Sequence, residues 1–426
     1  MKRPVLTIAY LANQFPAAVE GYVGEEIEEL RRRGAKVIPG SVRRPGSTGS
    51  HSQNRSLAEE TVCLRQIRVR TLVRAVALIL TRGERISDIL KRVLFRGNEG
   101  PWIRLKALLH VGLGACYAVR LENRGVHHIH IHHGYFGSFV GMIAARFLGI
   151  SYSVTLHGSD LLLHSAYLDL KLGNCRFCLT ISEYNRRYIL EHFPGVDATK
   201  IHVSRLGVET VFCQFSESNA SRQFTILAVG RLHAVKDHAF LVRACARLRD
   251  CEVPFNCLIA GEGPERRNLE VIIGRHGLQN CVALLGHVNR EKMDSLYETA
   301  DLVVLTSRSE GIPLVLMEAM AREKIVMAPE ITGIPELILP GRNGFLYKAG
   351  EMEEFVQRIL FLHALMCTKN AVSFGRLKWI RHAARLQVVN NFGRANNLTH
   401  FGDSFLQLVA KPDWSHLHEN FVLQQI

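Results

Sequence analysis

Apolar runs without polar alternation recur along the chain, most of them followed by a segment that favours helix. Residues 5–11 are apolar but for Thr7 and do not alternate, as in a strand buried on both faces of a parallel sheet. A helix is expected over 25–33, ended by Gly34, with a second strand over 35–39. Further helices are expected over 105–120 and 139–148, the latter ended by Gly149, and further strands over 152–156, 178–182 and 201–204. Residues 40–56 are rich in Ser, Gly, Arg and Pro and read as a loop. Residues 211–222 carry few apolar positions and read as a linker. A fresh series then begins. Strands are expected over 224–231, 256–260, 282–285, 302–305 and 325–328, with helices over 238–248, 266–275 and 314–321. Residues 377–409 read as two helices, and no pattern continues from Pro412. Strand–helix alternation of this kind predicts α/β architecture with two Rossmann-like doubly wound domains facing a central cleft.

One stretch organises the second series. Ser309-Glu310-Gly311-Ile312-Pro313 follows the apolar strand end Val303-Val304-Leu305 and opens the helix 314–321. Strand, glycine turn and helix N-terminus together present backbone N–H groups and a positive dipole end to an anion. Glu310 in the turn and Glu318 in the helix could accept hydrogen bonds from ligand hydroxyls. Read alone, the pair is equally compatible with a solvated turn acid and an ordinary helix glutamate.

Length and composition narrow the class. At 426 residues, two domains are expected; 47% apolar and 22% charged residues exclude a disordered chain. Ten scattered cysteines fit buried thiols in a reducing compartment better than a disulfide framework, and only Cys175-Arg176-Phe177-Cys178 has metal or redox spacing. The first twelve residues resemble a signal peptide superficially, but their apolar part is short and reads as the first strand. No run is long and apolar enough for a transmembrane helix. The net charge of +14 is uneven, since residues 61–106 hold eleven Lys/Arg against three Asp/Glu. Apolar positions such as Leu72, Val73, Val76 and Leu80 are interleaved there with Arg68, Arg70 and Arg74. That window fits an anionic membrane surface or a core-packed helix pair with solvated arginines. Nucleic acid is not expected, because no reader motif or aromatic platform accompanies the charge.

The histidine run 127–133 alternates with isoleucine, which places His128, His130 and His132 on one strand face. Without an interleaved acid or cysteine, a polar cleft lining is expected there rather than a metal site. His157-Gly158-Ser159-Asp160 stands at a strand's C-terminal end, the usual ligand edge of an open α/β sheet. Gly261-Glu262-Gly263-Pro264 lacks the third glycine of a dinucleotide fingerprint, which disfavours a dehydrogenase.

From Val229-Gly230-Arg231-Leu232 and Lys236, through Gly261–Pro264, Leu285-Gly286-His287-Val288, Ala300-Asp301 and 309–321, to Gly333–Glu336 and Gly341–Gly344, the sequence resembles glycosyltransferase family 4. His130-Ile131-His132, Thr155–Asp160 and Phe15-Pro16 with Glu25-Glu26-Ile27 extend the resemblance into the first half, closest in flavour to exopolysaccharide and colanic-acid enzymes. The resemblance implies the GT-B architecture. It divides the chain into an acceptor-side domain over 1–208, a linker over 209–222, a donor domain over 223–389, and a helix crossing back plus tail over 390–426.

It also implies retaining, hexosyl-type transfer from a nucleotide sugar to a lipid-linked or polysaccharide acceptor. No Asp-x-Asp occurs, so no metal cofactor is expected, and Arg231 and Lys236 match the basic pair on the diphosphate. Glu318 matches the acceptor of ribose hydroxyl groups; Glu310, Gly311, Ile312 and Pro313 line the sugar side. His157 and Glu310 are the catalytic candidates, with His130, His132 and Asp160 on the acceptor side. Asp237 stands where the family commonly has glycine, and is expected to be tolerated next to the contact position. The location implied is cytoplasmic, at the inner face of the plasma membrane. Competing readings are a phosphorylase of the same architecture and a non-catalytic polyanion- or membrane-binding protein.

Overall fold

The computed structural model describes residues 5–17, 20–44, 52–65, 67–211, 223–367 and 371–411. Most of the expected linker, the tail from Pro412 and part of the loop expected over 40–56 lie outside these; from Ser52 the chain is helical, to Glu60. The chain forms two compact units. One comprises Met1–Ile181, Asn185–Ser204 and Leu398–Ile426; the other comprises Ser182–Tyr184 and Arg205–Asn397.

The first unit holds a parallel sheet of β1 (Thr7–Ala12), β2 (Lys36–Ser41), β3 (Val62–Cys63), β4 (His128–His132), β5 (Ser151–Leu156), β6 (Phe177–Thr180) and β7 (Ile201–Val203). Its strand order is β3-β2-β1-β4-β5-β6-β7. Every residue of β1 is buried, which explains the missing alternation in its sequence. Helices cover both faces. On one lie Val111, Ala115 and Phe139; on the other Ile27 and Leu30 pack with Phe401 and Phe405 of the last helix, Arg394–Ala410. Arg33 pairs with Asp403, and Arg176 donates to the Leu408 carbonyl at 2.9 Å.

The second unit repeats the plan with β8 (Phe224–Val229), β9 (Phe255–Ala260), β10 (Val282–Gly286), β11 (Leu302–Val304), β12 (Ile325–Pro329) and β13 (Phe345–Tyr347). The order β10-β9-β8-β11-β12-β13 turns about the β8–β11 pair. The first sheet turns likewise about β1–β4. At such a reversal the loops at the two carboxyl ends diverge and leave room for a ligand.

Three expectations need adjusting. The helices expected from residues 25, 105 and 139 begin at Gly21, Pro101 and Phe136. In the first case Gly21 and Gly24 are poor helix formers, and packing overrides them. β3 and β13 are two and three residues long, too short for a periodic signal. Pro313, suited by its missing N–H to the first turn of a helix, is instead the residue before the helix Leu314–Ala321.

Candidate active site

In the second unit the loops leaving β8 and β11 are stitched together. Arg308 N–H donates to the Val235 carbonyl at 2.8 Å, and Thr306 Oγ1 to the Lys236 carbonyl at 3.0 Å. Lys236 Nζ lies 2.5 Å from Glu310 Oε1, the same oxygen that accepts from Ser307 Oγ at 2.5 Å. Thr332 Oγ1 holds the Glu310 carbonyl at 2.7 Å. Two residues placed at the site by sequence, Lys236 and Glu310, are therefore in direct contact. Arg231 begins the β8 loop, exposed and in no ion pair among the described residues.

Asp237 occupies the left-handed region at φ 45°, where glycine would carry no penalty. Its side chain meets that cost by accepting from Phe240 N–H at 3.3 Å and pairing with Arg308 at 2.7 Å. Gly261 and Gly263 serve packing against the same loop. An added Cβ would stand 1.9 Å from the Gly230 oxygen and 2.3 Å from the Leu232 oxygen.

Glu318 is half-buried on the helix Leu314–Ala321 and accepts from the Tyr297 hydroxyl at 2.9 Å. Burial, then the Glu318 charge, raises the Tyr297 phenol well above its ordinary value, so it stays a donor. Arg322 lies over the Tyr297 ring, 4.8 Å from its centroid, and ties to Asp294 at 2.5 Å. Gly311 is half-buried, while Ile312 and Pro313 are buried beneath the turn. The result is a set of cations and acceptor carboxylates fixed at the β8–β11 reversal.

The corresponding end of the first sheet is furnished differently. Tyr10 donates its hydroxyl hydrogen to Glu26, and His132 Nε2 lies 2.7 Å from the same carboxylate oxygen. His132 Nδ1 lies 3.1 Å from His157 Nε2. With Glu26 accepting the Nε2 hydrogen bond, His132 Nδ1 is left to accept from His157 Nε2–H. Burial, then the neighbouring His133 and His132, holds His157 well below the usual imidazole range.

Asp160 accepts from the backbone N–H groups of Gly134 at 2.8 Å, His157 at 3.1 Å and Gly158 at 2.8 Å. His133, at φ 71°, approaches Asp160 at 3.6 Å and Glu20 at 3.3 Å. Burial alone would lower His133, but these two acids outweigh it and raise it to about 10. Burial likewise opposes the charge on Asp160, yet His133 and the N–H donors hold its carboxyl well below the usual range.

The expected polar cleft lining is corrected. His128 and His130 are fully buried, with Ser151, Ser153 and Thr155 as hydrogen-bond partners and Phe177 and Phe405 against their rings. His132 and Asp160 are also interior. Burial lowers His128 to about 3 and holds His130 well below the usual imidazole range, so these two rings are neutral. Ligand atoms of Glu26, His130 and His132 lie within 4.8 Å of one another and are the group among the described residues that could hold a metal ion. Each of those atoms already has a hydrogen-bond partner.

Sequence reasoning gave no role to Tyr10, Tyr22, Glu20 or Glu26. Glu26 shares the buried helix face with Val23, Ile27 and Leu30, and a carboxylate at an apolar position was the available signal.

Residues 213–369 match the family model described as glycosyl transferases group 1. They form a group 1 glycosyltransferase domain. Among curated relatives, the α-D-kanosaminyltransferase of Streptomyces kanamyceticus is 34% identical over 142 residues, 32% of this chain and 36% of that protein. The putative colanic acid biosynthesis glycosyltransferase WcaL of Escherichia coli is 30% identical over 204 residues, 46% of this chain and 50% of WcaL. The amylovoran biosynthesis glycosyltransferase AmsK of Erwinia amylovora is 33% identical over 175 residues, 39% of this chain and 43% of AmsK. The chain thus spans between about a third and a half of the length of these relatives.

Sucrose-phosphate synthase from Thermosynechococcus elongatus superposes with a TM-score of 0.72 at 17% identity, covering 96% of this chain and all of that one. The lipopolysaccharide outer core galactosyltransferase WaaB superposes with 0.67 at 15% identity, covering 94% and 99%. These likenesses show the fold, two parallel-sheet α/β domains of the GT-B kind. The group 1 domain contains the whole stitched loop pair, from Arg231 to Glu318.

Proposed function

We propose that the protein is a retaining glycosyltransferase that moves a sugar from a nucleotide sugar to a lipid-linked or saccharide acceptor in cell-surface polysaccharide biosynthesis. The observation that carries the reading is the Lys236–Glu310 contact at the β8–β11 reversal, with Arg231 free beside it and Glu318 held by Tyr297. A departing nucleoside diphosphate develops negative charge, and Arg231 and Lys236 are the groups to stabilise it without a metal. Glu318 accepts from ribose hydroxyl groups, and Glu310, steered by Lys236 and Ser307, accepts from those of the sugar. His157 is assigned to the reacting end of the sugar, its Nε2 proton oriented by His132. HepE of Anabaena, 17% identical with a TM-score of 0.64, has been solved with UDP and glucose, which favours a donor of this class.

The partner side of the proposal is an anionic membrane at the cytoplasmic leaflet. Val69, Leu72, Val73, Val76 and Leu80 fall on one stripe of the helix Val69–Arg82 and are all exposed, Val69 and Leu80 by 79%. A core-packed helix would bury that stripe. Exposed apolar side chains flanked by Arg68, Arg70 and Arg82 suit an interface of acyl chains and anionic headgroups. Among the described residues, no helix is long and apolar enough to cross a membrane.

Incubation with a panel of nucleotide sugars is expected to release nucleoside diphosphate, and Lys236→Ala or Glu318→Ala to suppress that release. Unchanged turnover in both variants would remove the site assignment.

A further inference from the structure

The first unit contains an open cavity of about 1080 Å³, apart from the buried histidines. Asn13, after β1, Val42 and Arg43, after β2, and Tyr135, after β4, line it, so it lies at the carboxyl edge of the sheet. Its far wall is the helix Pro101–Leu121, which contributes Ile103, Lys106 and His110.

The cavity's charge is lopsided. It has two acids, Glu99 and Asp169, and both are held by one arginine from outside the cavity, Arg92, at 2.9 and 3.2 Å. Its cations are not held in this way. Arg43 and Lys106 are exposed and make no ion pair among the described residues. Lys171 is buried at the base, where burial lowers its amine to about 7, and it donates to the carbonyls of Gly134 at 2.6 Å and Ala166 at 2.9 Å. Burial depresses His110, opposed by its contact with the Lys106 carbonyl and aided by the charges of Lys171 and Lys106. Tyr135 connects the cavity to the His157 turn, its hydroxyl 2.5 Å from Ser159 Oγ.

The same helix carries an apolar stripe beside the cavity. Trp102, Leu105 and Leu109 recur at helical spacing and are exposed, Trp102 by 76%. At roughly 100° per residue, their stripe lies about a quarter-turn round the helix from Ile103, Lys106 and His110. Phe95, 79% exposed, and Leu94 add to the exposed apolar surface just before the helix. Cationic cavity and apolar rim thus share one helix, an arrangement for a ligand that is anionic at one end and greasy at the other.

We propose that this cavity seats the phosphate or diphosphate headgroup of a membrane lipid, the carrier of the acceptor, between Arg43 and Lys106, with Trp102, Leu105 and Leu109 in the acyl layer. The proposal rests on the glycosyl-transfer reading for the word acceptor, but the binding itself does not depend on it. It also replaces the acceptor-side role expected for His130, which is interior.

The test is calorimetric titration of the full chain with farnesyl diphosphate, inorganic pyrophosphate and farnesol. Farnesyl diphosphate is expected to bind at least ~10-fold tighter than either fragment. Arg43→Glu with Lys106→Glu is expected to weaken it ~10-fold or more, since two charge-assisted contacts become repulsive. Trp102→Ser with Leu105→Ser is expected to bring farnesyl diphosphate down to the affinity of pyrophosphate. All four residues are exposed, and unchanged thermal unfolding will show that the variants fold. Lys236→Ala should leave farnesyl diphosphate binding intact, and Arg43→Glu with Lys106→Glu should leave nucleoside diphosphate binding intact. A failed donor site and a failed lipid site are therefore separable. Pyrophosphate binding as tightly as farnesyl diphosphate, or indifference to the charge reversals, would overturn the proposal.

Discussion

The two sheets share one reversal in strand order, yet their carboxyl edges are built on opposite principles. At β8–β11 the charged groups are partly exposed, Lys236 and Glu310 on loops and Glu318 on a helix, and each keeps a face that a ligand could claim. At β1–β4 the ionisable groups are interior; Tyr10, Glu26 and His132 use their polar atoms on one another, and Asp160 uses its own on backbone N–H groups. Topology fixes where a site can be, and burial decides whether its residues bind a ligand or hold the framework behind one. The first edge is suited to exchanging partners, the second to orienting His157.

The largest expected effect is on turnover. Lys236→Ala should reduce the rate by ~10²–10³-fold, as loss of one charge-stabilising donor does, with little change in the unfolding midpoint. Glu26→Ala should do the reverse in character. It strips the Tyr10 hydroxyl and His132 of their common acceptor in a dry interior, and urea unfolding should show a loss of about 3 kcal/mol. Glu318→Ala should cost no more than about 1 kcal/mol in the same assay. Equal destabilisation by Glu26→Ala and Glu318→Ala would erase the contrast between the two edges.

A smaller effect concerns pH. His133 is raised from 6.5 to about 10 in the folded chain, facing Asp160, Glu20, His157 and the Tyr135 ring. A raised value means the folded state holds the proton more tightly. Its contribution to stability is therefore complete below about pH 6.5 and lost as pH climbs through about 10. NMR titration should find the His133 ring protonated at pH 8, and His133→Gln should flatten the alkaline side of the stability profile. The smallest effect on folding is expected from Leu72→Ser with Leu80→Ser, within ~0.5 kcal/mol because both are already in water. The same pair should lose flotation with anionic vesicles, and retention of full flotation would return that helix to an ordinary surface.

The β8–β11 edge was legible because its residues fall in two short stretches of sequence. Arg231 and Lys236 lie on one short loop and Ser309–Pro313 on the other, with Glu318 in the helix that follows, and glycine or proline announces each turn. The helix over 314–321 was read to within one residue of its start. The other edge was not legible, because Tyr10, Glu26, His132 and His157 come from four segments and meet only through the sheet order. The His-Ile alternation showed that three histidines share a face, but not that Phe405, from the far end of the chain, covers it. Likewise the basic window 61–106 showed charge interleaved with apolar residues, while only the fold showed that Leu72 and Leu80 point outward and Ala75 inward.

The most direct measurement is calorimetric titration of nucleoside diphosphates into the full chain and into Glu318→Ala. The expected result is saturable binding by the unaltered protein, weakened ~10-fold or more when the ribose acceptor is removed. Absence of binding by every nucleoside diphosphate, or equal affinity in the two proteins, would contradict a donor site at the β8–β11 reversal.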